Sequence, residues 1–258
     1  MARRYGTGGD FWRANPTLTS LPVQTYEIWN EENWGFWQDY PRCETHTVGV
    51  DQGPARYADM FMDARAAILA ADPAAKVMVG GLVGITSEVY SPSYPVPSSV
   101  CTVQEFLAGM RAHRPDLAAD AVAIHIYEPT AGAVLAQLVK VRHAIDGLGW
   151  AAGIPIDLNE NGLAVGVDGS TATDADRGSL LATVADQALR SNCNVTGYLP
   201  YTWLTNEADP TNVESWYGIG NPADPANPHG SALTYGSEVQ TLQGTGTTAP
   251  DPSTVTLC

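Results

Sequence analysis

The sequence predicts an α/β fold built on a parallel sheet. Two patterns carry that expectation: five short apolar runs, and between them longer segments whose apolar residues recur at helical spacing. Parallel strands cannot be joined by a tight hairpin; each crossover is long and is usually a covering helix. The composition agrees, since 258 residues with 44% hydrophobic and 16% charged side chains can supply a sizeable core.

In chain order, the strand-like runs fall at 22–29, 76–82, 121–127, 154–159 and 195–203. A helix is expected over 54–71: Pro54 suits a first turn, Tyr57, Met60, Phe61, Ala64, Ala67, Ile68 and Ala71 share a face, and Asp72-Pro73 stops it. Thr102 and Glu105 form a capping box that opens a helix running to His113, because hydroxyl and carboxylate can each satisfy a free amide of the other residue. Helical patterns follow at 131–148 and 174–191, the latter with Leu180, Leu181, Val184, Ala188 and Leu189 as its stripe, and a weaker one at 231–243. Residues 1–243 read as one domain, and 244–258, rich in Thr, Pro and Gly, as a tail.

Several functions are excluded at this level. With 13 basic against 28 acidic residues the net charge is −15, the wrong sign for a nucleic-acid partner. No run approaches the ~18 apolar residues of a membrane span. No glycine-rich phosphate loop follows a strand. The four cysteines, Cys43, Cys101, Cys193 and Cys258, lack metal-ligand spacing, so no metal is expected, and two disulfides are possible. The opening Met1-Ala2-Arg3-Arg4 has no apolar stretch behind it and does not read as a signal peptide as it stands, which leaves the compartment open.

In parallel α/β folds reactive side chains collect where strands end. Two runs end in Asn-Glu, at Asn30-Glu31 and Asn159-Glu160. Retaining glycoside hydrolysis needs two carboxyl groups ~5–5.5 Å apart, one protonated to assist the leaving oxygen and one ionised to attack the sugar.

The motifs resemble the (β/α)₈-barrel glycoside hydrolases whose acid/base ends strand 4 and whose nucleophile ends strand 7, closest to families 39 and 5. Trp29-Asn30-Glu31 is similar to the strand 4 motif, which implies Glu31 as acid/base and Asn30 as a hydrogen-bond partner of the sugar 2-hydroxyl. Asn159-Glu160-Asn161-Gly162 resembles the strand 7 segment, which implies Glu160 as nucleophile. His125-Ile126-Tyr127 resembles the end of strand 6, where the tyrosine holds the nucleophile, and Trp203 resembles the strand 8 tryptophan beneath the sugar. Those families usually continue strand 4 with proline, where this chain has Glu32. The resemblance assigns the five runs to strands 4 to 8 and places strands 1 to 3 upstream of Met1, so the expected fold is an N-terminally incomplete TIM barrel. It implies a retaining O-glycosyl hydrolase acting on an oligo- or polysaccharide, secreted, with no metal or organic cofactor. The alternative is a carbohydrate-binding relative or fragment that does not hydrolyse.

Trp34 and Trp37 are read as subsite or lid residues, placed to stack on sugar faces in the loop after Glu31, and Trp216 and Tyr217 as similar candidates. Glu27 and Asp157 are read as structural, pairing with cations or facing a crossover helix. Glu207 and Glu214 read as solvated. A Cys43–Cys101 disulfide would join two adjacent loops, and Cys193 could be a buried thiol.

Overall fold

The computed structural model describes residues 1–34, 52–86, 101–244 and 254–258. Two short helices, α1 (Ala2–Tyr5) and α2 (Asp10–Ala14), precede the alternating series β1 (Thr25–Asn30), α3 (Gln52–Ala71), β2 (Lys76–Val83), α4 (Val103–His113), β3 (Ala121–His125), α5 (Ala131–Asp146), β4 (Ile156–Asn161), α6 (Asp174–Leu189), β5 (Val195–Pro200) and α7 (Gly230–Gln243). The strands make one five-stranded sheet in the order β1-β2-β3-β4-β5. The α/β class expected from the alternation is the class observed. All five residues of β3 are buried, as expected for a parallel strand covered on both faces.

The chain divides into two compact units, Met1–Ala123 with Ala144–Pro155, and Ile124–His143 with Ile156–Cys258. In the first, β1 and β2 pair in parallel, from Thr25 opposite Lys76 to Asn30 opposite Gly81. The run expected from 22 starts as a strand only at Thr25, because the Val23 amide is taken by the Tyr5 carbonyl instead. Helices α3 and α4 meet closely at Gly109, where a Cβ would stand 2.9 Å from that of Pro54. Beside this contact the rings of Tyr57 and Phe106 lie 5.5 Å apart, both fully buried. The expected stripe of α3 is buried at Tyr57 and Phe61 but exposed at Ala67 and Ala71, so only its N-terminal half serves the core. The Thr102–Glu105 capping box forms as expected.

In the second unit β4 and β5 pair in parallel with two register shifts. One sets Thr196 as an extra residue on β5, and its hydroxyl donates to Asp157 at 2.7 Å. The other places an extra residue on β4 between Leu158 and Asn161. β5 stops at Pro200 rather than 203, since proline has no amide to continue a ladder. Helix α6 opens with a second capping box, Thr173 with Asp176, and buries Leu180, Leu181, Val184 and Ala188. Its Arg177, 1% exposed, crosses to α7: it donates to Ser231 Oγ, to the Trp216 carbonyl and to Asp174, whose other oxygen accepts the Ser231 amide. Cys193 is not a thiol. It is bonded to Cys258, and the last residues are further held by a bridge between Ser191 and Val255 and by Asn192. Cys101 is disulfide-bonded too; Cys43 lies outside the described residues.

Candidate active site

The C-terminal end of β1 is built around two left-handed residues, Trp29 (φ 73°) and Glu31 (φ 54°). Non-glycine residues held there cost on the order of 1–3 kcal/mol each and persist only when neighbours over-determine them. Here the neighbours are specific. The Tyr57 hydroxyl enters the ladder at the Trp29 twist, donating to the Ile28 carbonyl at 2.6 Å and accepting the Gly80 amide at 2.8 Å. The Glu31 amide donates to the Gly81 carbonyl at 2.9 Å, and the Gly81 amide donates to Glu27 Oε1 at 2.6 Å. Glu27 is therefore a structural acceptor of a backbone amide. Two residues on, the Asn33 side chain exchanges hydrogen bonds with the Val83 backbone, both at 2.9 Å, and donates to the Cys101 carbonyl at 3.0 Å.

This framework sets Asn30, exposed, as the last residue of the strand and Glu31, half-buried, immediately beyond it. Trp34 is half-buried, its amide donating to the Glu31 carbonyl. Trp37 lies outside the described residues. Glu32 points inward and is fully buried. Burial pushes its carboxyl up to about 8, aided by the charges of Glu27 and Glu31.

At the end of β4, Glu160 sits in the stretch that carries the extra residue, which re-aims a side chain relative to a regular strand. The strand continues to Asn161, two residues beyond the expected end, so Glu160 lies inside it. Its carbonyl accepts the Ile126 amide at 3.1 Å. Asn161, fully buried, donates to the Ile126 carbonyl at 2.8 Å, accepts the Tyr198 hydroxyl at 2.7 Å, and its own carbonyl accepts the Tyr201 amide. Asn161, part of the Asn159-Glu160-Asn161-Gly162 motif, thus fastens the Glu160 segment to both neighbouring strands, a role that depends on contacts distant in sequence.

The Glu160 side chain, 25% exposed, meets two of the residues singled out with it. Tyr127 donates its hydroxyl to Oε2 at 2.9 Å, and Nδ1 of the buried His125 lies 3.3 Å from the same oxygen. Burial, and then the Glu160 charge, push the Tyr127 phenol far above its ordinary value, so it remains a donor. Tyr127 packs edge-on against Tyr217 and Tyr201, which also touch each other, with centroids 5.4–6.1 Å apart. Tyr201 was not anticipated, because nothing in its local sequence separates it from a strand tyrosine. A cavity of about 290 Å³ opens here, lined by Tyr127, Glu128, Gly162, Leu163, Val213 and Tyr217 among others.

Trp203 lies three residues past β5 and is 50% exposed. Trp216 is less available than expected, since its indole nitrogen donates to the Asp209 carbonyl at 2.7 Å and its ring covers Gly166, which is held at φ +88°. Glu207 is not a solvated residue: its carboxylate, 21% exposed, meets His229 Nε2 at 2.7 Å.

No protein-family model matches the chain, and no curated protein matches it. Solved structures do. A glycoside hydrolase family 128 endo-β-1,3-glucanase from Sorangium cellulosum aligns over 91% of this chain and 78% of its own, with a TM-score of 0.52 at 15% identity. One from Lentinula edodes aligns over 86% and 76%, with a TM-score of 0.52 at 14% identity. A fungal β-1,4-galactanase aligns over 86% of this chain and 63% of its own, with a TM-score of 0.56 at 14% identity. The likeness is one of fold. It joins the strand order to the (β/α)₈-barrel fold, of which five parallel strands with their helices make a part.

Proposed function

We propose that the chain is a retaining glycoside hydrolase acting on a β-linked, uncharged oligo- or polysaccharide. The observation that carries the reading is the setting of Glu160: a carboxylate on a bulged strand end, held through one oxygen by a phenol that keeps its proton. With Oε2 occupied, Oε1 is the atom offered for attack. In the first step Oε1 bonds to the anomeric carbon, the glycosidic C–O bond breaks, and Glu31 passes its proton to the leaving oxygen. In the second, water gives a proton to Glu31 as its oxygen bonds to the anomeric carbon, and the bond to Glu160 breaks. The chemistry requires the two carboxyls ~5–5.5 Å apart. The fold neighbours, named as β-1,3-glucanases and a β-1,4-galactanase, favour a neutral β-glycan, as does the net charge of −15.

In the same reading, Asn30 binds the sugar 2-hydroxyl, and Trp203, Trp34 and Trp37 stack on apolar sugar faces. Secretion belongs to this proposal, as the place where such polymers are met. Hydrolysis of aryl β-glycosides and of β-1,3- and β-1,4-glycans, followed by NMR of the first-formed anomer, tests it. The expected product keeps the β configuration. Binding of these sugars without any turnover would instead support a lectin-like role.

A further inference from the structure

Glu32 has no part in the proposed chemistry, yet the end of β1 is shaped around it. It follows Glu31 directly and is fully buried, and neither of its carboxyl oxygens makes a hydrogen bond among the described residues. Oε1 occupies the space above Gly80, where a Cβ would collide with it. A residue with any side chain at 80 would displace Glu32, so glycine and glutamate fit as a pair.

The groups that face this carboxyl are Glu27 and Glu31 from β1 and its end, and Tyr57 from α3. None is a cation. The Tyr57 hydroxyl lies 2.6 Å from the Ile28 carbonyl, and its pull on the Glu32 carboxyl is weaker than the effect of burial. Among the described residues an ionised carboxylate would therefore stand buried beside two other carboxyls with no counter-charge, which is strongly unfavourable, while a neutral acid can remain.

We propose that Glu32 is a positioning residue for Glu31: it keeps its proton inside the end of β1 through neutral pH, and losing that proton in alkaline solution loosens the turn that presents Glu31. The part of this concerning activity rests on the reading of Glu31 as acid/base. The part concerning stability does not. Because the folded protein binds the proton more tightly than the unfolded chain does, the contribution of Glu32 is complete below the ordinary glutamate value and is lost as pH rises through about 8.

The test compares the wild-type chain with Glu32→Gln, whose side chain has the same shape and cannot ionise. Melting midpoints are taken from slightly acid to strongly alkaline pH, beside ¹³C NMR of the wild type labelled at its glutamate carboxyl carbons. One wild-type glutamate should titrate near 8 and vanish from the variant's spectrum. The wild-type midpoint should fall above that pH while the variant's stays level, and the alkaline limb of kcat/KM should move upward in the variant. A role in packing alone would shift the midpoint equally at every pH and leave that limb in place, which would overturn the proposal. So would a wild-type spectrum with every glutamate ionised at neutral pH, a reading that stands even if the variant fails to fold. A stability difference with no hydrolysis at any pH would sink the glycosidase reading and leave Glu32 as assigned.

Discussion

The Tyr127 hydroxyl and Glu160 Oε2 are joined by a hydrogen bond of 2.9 Å. A phenol that stays protonated beside a carboxylate fixes its orientation without neutralising it. Hydrogen bonds to charged groups contribute roughly 1.5–3 kcal/mol, and about 1.4 kcal/mol is tenfold in rate. Tyr127→Phe should therefore lower kcat/KM by about 10- to 100-fold with the far-UV circular dichroism unchanged. A variant with wild-type kinetics would show that the bond holds nothing the reaction uses.

Tyr57→Phe removes the hydroxyl that bridges Ile28 and Gly80. Two backbone groups then lose their partner in a buried place, at roughly 1–3 kcal/mol each. Urea unfolding should show a loss of about 2–6 kcal/mol, with activity falling alongside because the Glu31 turn rests on this bridge.

The bond between Cys193 and Cys258 closes a loop of 65 residues in sequence separation. Bridges of that kind usually contribute ~2–4 kcal/mol, chiefly by restricting the unfolded chain. Cys258→Ser should lower stability by about that much, and limited proteolysis should then cut the freed C-terminal end first.

Asp174 responds to acid. Partial burial pushes its carboxyl up, but hydrogen bonds from Ser231 and Arg177 outweigh this and hold it below the ordinary 3.8. A depressed folded value means the stabilisation is present above the unfolded value and is lost as pH falls through the folded one. The α6–α7 contact should loosen only in strong acid. Removing the buried partner has a larger effect at neutral pH: Arg177→Ala, which takes one donor each from Asp174 Oδ1, the Trp216 carbonyl and Ser231 Oγ, should cost on the order of 3 kcal/mol in a denaturant titration.

Much of this was legible in the sequence, and the reasons differ by element. The capping box at Thr102 and the stop at Asp72 are local signals, and both ends fall where the residues place them. The Asn-Glu pairs marked the strand ends, because an acid closing an apolar run has few other places to go. Tyr57 was legible only as a core aromatic, since its hydroxyl acts on a strand 29 residues away. Glu32 stood out in the sequence as a departure from the expected proline, but its burial depends on Gly80, which no local pattern connects to it. Glu207 looked solvated because its partner His229 follows 22 residues later across an irregular loop.

The central claim is that Glu160 attacks the sugar. Glu160→Ala, assayed on an activated aryl β-glycoside with and without sodium azide, tests it most directly. The account predicts that turnover is abolished and that azide, entering the space of the missing carboxylate, restores consumption of the glycoside with formation of the α-glycosyl azide. Turnover that survives the substitution without azide would contradict it.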